Sequence, residues 1–154
     1  MAKLDRRVVS VWRWTTVLWG AAGVVVTAGV GWTTLHHFTQ LWILLPAVVL
    51  LGTALAAWRG PPAVWSHWSY ELTDDALELS HGVWFREHSV VPWSRVQHVD
   101  ISHGPLDRRF GLAQLKIHTA SAKTDAKLPG VDAAEAERLR LDILERYRQT
   151  LPAE

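Results

Sequence analysis

The sequence predicts an α+β protein in which a two-helix transmembrane hairpin precedes a small antiparallel sheet closed by a C-terminal helix. Three observations carry that prediction. Residues 14–58 run for 45 consecutive positions without Asp, Glu, Lys or Arg. Several segments after Trp68 alternate polar and apolar side chains with the period of strands. From Asp132 onward the apolar residues recur at helical spacing.

The chain of 154 residues suits a membrane anchor plus one small domain. Its formal net charge of +1 hides a division. Residues 1–65 carry Lys3, Arg6, Arg7, Arg13 and Arg59 against Asp5, a net +4, whereas residues 66–154 carry 11 basic and 14 acidic side chains, a net −3. Neither part has the basic excess of a nucleic-acid binder, so no nucleic-acid partner is expected. There is no Cys, which removes disulfides, thiolate metal ligands and cysteine nucleophiles and fits a reducing compartment.

Residues 1–13 read as a cytoplasmic tail and 14–59 as the hairpin. The first span, Trp14 to Leu35, reaches about 33 Å at ~1.5 Å per residue, enough for a hydrocarbon core of roughly 30 Å. The second, Leu41 to Trp58, is near the lower length limit, and its Pro46 either kinks the helix or marks its first turns. Only His36 to Gln40 separate the spans, without Lys or Arg, while the basic residues lie on the other side; the positive-inside rule then places both termini of a multi-pass cell-membrane protein in the cytoplasm. Trp12, Trp14, Trp19, Trp32, Trp42 and Trp58 fall mostly near the expected interfaces. A cleaved signal peptide fits poorly with a second span so close behind, and a buried soluble hairpin would need more than the remaining chain to cover it. Gly23, Thr27 and Gly31 share one face of the first span, and Gly52 and Ala56 have the same spacing on the second. These small faces suit packing within the hairpin or contact with another subunit in a homo-oligomer.

Residues 60–67 are expected to form a connector, because Gly60, Pro61 and Pro62 break the second helix. The exposed domain then spans 68–149. Its strands are expected at 68–72, 76–81, Trp84–Val91, Arg95–Ser102, Ala113–Thr119 and Lys123–Leu128, with Thr73–Asp75 as a hairpin turn and Pro92 as an interruption. In the fourth strand Val96, His98 and Asp100 are assigned to one face and Gln97, Val99 and Ile101 to the other. The segment GPLDRRFG is read as a loop. Asp132 is a good N-cap with Glu135 completing a capping box, and Ala136, Leu139, Ile143 and Tyr147 form the apolar stripe of the closing helix.

Several features, taken in order, carry a resemblance: YELTDDAL from Tyr70, Gly82, PWSRVQHVD from Pro92, GPLDRRFGL from Gly104, Thr119 and Ala120, and Pro129 with Gly130 before an Ala-rich helix start. The segment Trp68 to Leu141 resembles the bacterial pleckstrin-homology-like domain of small YdbS-type membrane proteins, whose two-span hairpin also matches. The resemblance implies a pleckstrin-homology-like fold, a bent antiparallel sheet with a C-terminal helix over one open end. It implies no catalytic residue, and such proteins are often associated with a larger membrane relative built from similar units. His118 and Ser121 depart from the commonest form.

Arg108 and Arg109 are the sharpest polar pair. Three readings compete for them: pairing of one with Asp100 or Asp107 while Phe110 packs inward, contact with a protein partner, and bidentate grip on a lipid phosphate. Trp84, Phe85 and Trp93 are further partner-surface candidates. Eight histidines are present, but no HExxH or similar ligand spacing occurs, so no metal site is expected, nor any cofactor. Asp74 and Asp75 belong to a turn, and no serine lies in a nucleophile elbow, so no catalytic residue is expected. The leading function is a membrane-anchored interaction module that assembles or regulates a cell-envelope complex with another membrane protein. Its rivals are phospholipid-headgroup sensing and a structural oligomer in membrane-stress protection.

Overall fold

The computed structural model describes residues 2–35, 43–120 and 124–150. The expected turn at His36–Gln40, Trp42 and the start of the expected last strand lie outside them. The chain divides into two compact units, Val9–Ala63 and a domain made of Met1–Val8 together with Val64–Glu154.

The first unit is built from helices α1 (Val8–Leu35) and α2 (Leu44–Ser66). With 28 and 23 residues they extend about 42 and 35 Å at ~1.5 Å per residue. Both are long and apolar enough to cross a membrane and are scarcely buried, with Trp19, Val25, Val48 and Leu51 all more than half exposed. A soluble core helix would be covered. Membrane helices leave no water for polar side chains, and the threonines answer locally: Thr15, Thr16, Thr27 and Thr53 each donate to the carbonyl four residues back, at 2.7–2.9 Å. Helix α1 starts at Val8 rather than Trp14. Helix α2 continues to Ser66 through Gly60, Pro61 and Pro62, where a break was expected. Proline's fixed φ is helical, so its cost is confined to missing N–H donors and local crowding, and α2 continues through the pair.

Among the described residues, the domain contains two three-stranded antiparallel sheets. One has order β1 (Ser69–Leu72), β2 (Ala76–His81), β3 (Glu87–Pro92), and the other β4 (Val96–Ser102), β5 (Leu112–Thr119), β6 (Ala126–Asp132). Between β1 and β2, Thr73 closes the turn: its hydroxyl donates to the Ala76 carbonyl at 2.8 Å and accepts the Ala76 amide at 3.2 Å. Ala2 exchanges both backbone hydrogen bonds with Tyr70, at 2.7 and 3.0 Å, and so extends the β1 edge. Helix α4 (Ala133–Thr150) packs on β4, β5, β6 and the short 3₁₀ turn Trp93–Arg95. Its buried face is Ala136, Leu139 and Ile143, with the fourth residue of the expected stripe, Tyr147, half-buried, and Asp132 caps it through the Ala134 amide at 2.9 Å. Glu135 accepts the Tyr70 hydroxyl at 3.1 Å. Burial, reinforced by this carboxylate, pushes the Tyr70 phenol up to about 12, so Tyr70 remains a neutral donor.

Within the domain, four further elements differ from the sequence expectation. β3 begins at Glu87, because Gly82, at φ +109°, opens a tight turn through residues 83–86. A Cβ on Gly82 would lie 1.8 Å from the Phe85 carbonyl oxygen. In β4 both Val96 and Val99 are buried, which strict alternation forbids; a bulge between Val96 and His98 resets the faces. GPLDRRFG is not a loop but contains helix α3 (Pro105–Phe110), with Pro105 in its first turn and Gly111 closing it at φ +68°. β6 runs past Leu128 to Asp132, with Gly130 at φ +65° taking the chain under Val8.

Candidate functional site

The most exposed large apolar side chains lie in the β2–β3 turn. Trp84 is 93% and Phe85 90% exposed, with Val83 and Arg86 exposed beside them. The backbone presents them because Gly82 reverses the chain and His81 pairs with Glu87 beyond the turn. Burial of either ring would contribute on the order of 2 kcal/mol, so leaving both in water is unfavourable unless something covers them.

Trp93 belongs to the opposite category. It is 0% exposed, donates its indole N–H to the Thr73 carbonyl at 3.1 Å, and can contact no partner. A tryptophan beside a proline and a serine reads the same in sequence whether it is inside or outside; only the fold places it in the core.

Helix α3 positions the two arginines. Asp107 is buried and accepts from the Gly104 amide at 3.0 Å and the Gln114 side chain at 3.1 Å, so its carboxylate holds the helix start rather than an arginine. Asp100 faces His98 and His118 instead. Among the described residues, neither Arg108 nor Arg109 meets a carboxylate within 4 Å, and the expected Arg–Asp pairing is not formed. Both arginines are exposed and Phe110 is half-buried. Arg108 lines a cleft of about 610 Å³ with His103, Gly111, Leu112 and Ala133.

Sequence reasoning missed two clusters. Arg7, read only as a topology charge, bonds Asp5 at 2.8 Å, Asp132 at 2.6 Å and the Phe110 carbonyl at 3.1 Å. Its hydrogen bonds lower both the Asp5 and Asp132 carboxyls below the usual range. Leu4 and Val8 are buried beside it, so the N-terminal residues belong to the domain rather than to a free tail. The second cluster joins His98, Asp100 and His118, whose ligand-type atoms lie within 4.8 Å of one another. Their alternation on facing strands was the available signal.

In the hairpin unit, Gly23 approaches Val49, and a Cβ there would meet Cγ1 at 3.4 Å. Gly31 is buried, and Thr27 is occupied by its bond to the Gly23 carbonyl. Gly52 and Ala56 lie on the surface of the hairpin unit. Both are exposed, and they line an open groove with Trp12, Trp19 and Gly20. The tightest approach is at Gly20, where a Cβ would fall 2.0 Å from Thr53 Cγ2.

Two apolar helices fit to cross a bilayer, two antiparallel sheets and a closing helix define a membrane-associated protein with a pleckstrin-homology-like domain. Residues 28–147 match the Bacterial PH domain family, and this chain belongs to that family. It is similar to the transmembrane protein YdbS of Bacillus subtilis, 32% identical over 91% of this chain and 88% of that protein. It is also similar to the Bacillus subtilis transmembrane protein YdbT, 25% identical over 55% of this chain but only 18% of that longer protein. A solved DUF1696-family protein with a pleckstrin-homology domain, from Shewanella loihica, covers 58% of this chain and 90% of its own at 17% identity and a TM-score of 0.39.

Proposed function

We infer that this chain is a membrane-anchored interaction module that assembles or regulates a cell-envelope membrane complex, with the Trp84–Phe85 turn as its docking surface. The observation that carries this reading is the pair of adjacent aromatic rings left in water at the end of the β2–β3 hairpin. Aromatic anchors with low side-chain entropy are typical centres of protein interfaces, and Arg86 supplies a polar rim. The partner is another membrane protein, and a longer relative carrying a similar unit is the first candidate, as the partial match to YdbT suggests.

Both termini are assigned to the cytoplasm. The basic residues flanking the helices favour that side. The pairing of Ala2 with Tyr70 supports a common side for the two ends, since strand partners cannot be separated by a bilayer.

A second reading has its own observation. Arg108 and Arg109 are exposed without a carboxylate partner among the described residues, and Arg108 borders a cleft. A phospholipid headgroup would satisfy them through bidentate hydrogen bonds. Capture from native membranes separates the readings, using the wild type, W84A/F85A and R108A/R109A. Loss of a specific protein partner with W84A/F85A alone supports the aromatic surface. Partner retention by both variants overturns it. Weaker binding of short-chain anionic phospholipid by R108A/R109A in detergent, with the partner retained, supports the lipid reading.

A further inference from the structure

We propose that the outer face of the β4–β5 strand pair is a binding site for a divalent transition metal of the Zn²⁺ class, with His98, Asp100 and His118 as ligands and Asp125 as the group that orients His118.

The strands supply the placement. His98 and Asp100 are two residues apart on β4, and His118 on β5 is the register partner of His98, so the three side chains rise from one patch of one face. The imidazoles lie with ring centres 4.5 Å apart and planes 20° from parallel. Asp100 Oδ2 stands 3.6 Å from His98 Nε2 and 3.5 Å from His118 Nε2. These separations are too long for good hydrogen bonds. They are close to the roughly 3.3 Å between neighbouring ligand atoms around a tetrahedral ion with ~2.0–2.1 Å bonds. His98 and Asp100 have side chains 61% and 59% exposed, so the remaining closure needs only rotation of free surface groups.

Asp125 gives the cluster its direction. Its Oδ1 accepts the Thr119 amide at 2.9 Å, and its Oδ2 lies 3.0 Å from His118 Nδ1. A carboxylate oxygen accepts, so this contact orients the His118 ring with Nδ1 as the donor toward Asp125. The other ring nitrogen, Nε2, then faces Asp100. A carboxylate behind a histidine that presents its other nitrogen to a cation is the recurrent outer support of metal sites. Two imidazoles with one carboxylate suit Zn²⁺ and its neighbours rather than Mg²⁺ or Ca²⁺, which prefer all-oxygen sets. Three protein ligands leave a position for water or for a carboxylate or phosphate from outside the chain.

The test is calorimetric titration of Zn²⁺ alone into the full chain in detergent after chelator treatment. The expected result is a saturable ion at one per chain, weakened at least tenfold by His98→Ala or His118→Ala and by about 10–100-fold by Asp125→Asn. His36→Ala/His37→Ala removes the two histidines adjacent in sequence and is expected to leave this binding unchanged. Circular dichroism of the metal-free variants verifies folding, and exposed His98 makes its variant the safest of them. Absence of binding by the wild type overturns the proposal, as does undiminished affinity in a folded His98→Ala/His118→Ala variant.

Discussion

Arg7 joins segments that are far apart in sequence: its guanidinium reaches Asp5, Asp132 and the Phe110 carbonyl. The depressed Asp5 and Asp132 carboxyls give the link a pH dependence. Because their folded values lie below the ordinary carboxylate value near 3.9, the stabilisation is fully present above about pH 4 and is lost as pH falls through the folded values. Thermal unfolding in detergent is therefore expected to drop on acidification below about pH 4, and Arg7→Gln to flatten that drop. An unchanged acid limb would remove Arg7 from this role. Gly130 offers a larger effect at the same junction. Its φ is +65° and an added Cβ would meet Val8 Cγ2 at 2.3 Å, so Gly130→Ala is expected to destabilise the domain by about 2 kcal/mol or more, read as a lowered unfolding midpoint. Neither role was legible in sequence, since Arg7 and Asp132 are 125 positions apart and only the fold makes them neighbours.

Elements with one strong period were legible. The apolar run predicted α1 and α2, the stripe Ala136–Leu139–Ile143 predicted α4, and the turn Thr73–Asp75 predicted the β1–β2 hairpin. Elements governed by a local exception were not. The β4 bulge breaks alternation by inserting a residue, and α3 is too short for its periodicity to register, being recognisable only through Pro105 and Gly111. The same distinction applies to helix packing: regular spacing selected Gly23, which does approach Val49, but not Gly20, whose approach to Thr53 is the tightest in the hairpin. Replacement of Gly20 by Leu is expected to weaken the hairpin by roughly 1–3 kcal/mol through overpacking. Gly52→Ala, with nothing within 4 Å of the new carbon, is expected to be nearly neutral. Unfolding in mixed micelles compares the two, and pairing Gly20→Ala with Thr53→Ala is expected to recover part of the loss of Gly20→Ala alone. Equal effects at Gly20 and Gly52 would contradict this packing.

For the whole molecule, the membrane anchor and the domain fold were readable because each depends on patterns repeated over many residues. The candidate surface was only partly readable, because hydrophobicity does not distinguish the exposed Trp84 from the buried Trp93. The proposed topology can be tested without background thiols, since the chain has no Cys. Gln149→Cys is expected to react with an impermeant maleimide only after spheroplasts are lysed, and Thr39→Cys before lysis; the reverse pattern would invert the assignment.

The central claim is that the Trp84–Phe85 turn docks a membrane protein. Its most direct test replaces Phe85 by a photo-crosslinking phenylalanine analogue in the full chain and irradiates native membranes. One discrete protein adduct, absent when the analogue is placed at the exposed position Leu141 of α4, is the predicted result. Adducts with lipid alone, or no adduct from a folded and inserted chain, would contradict the claim.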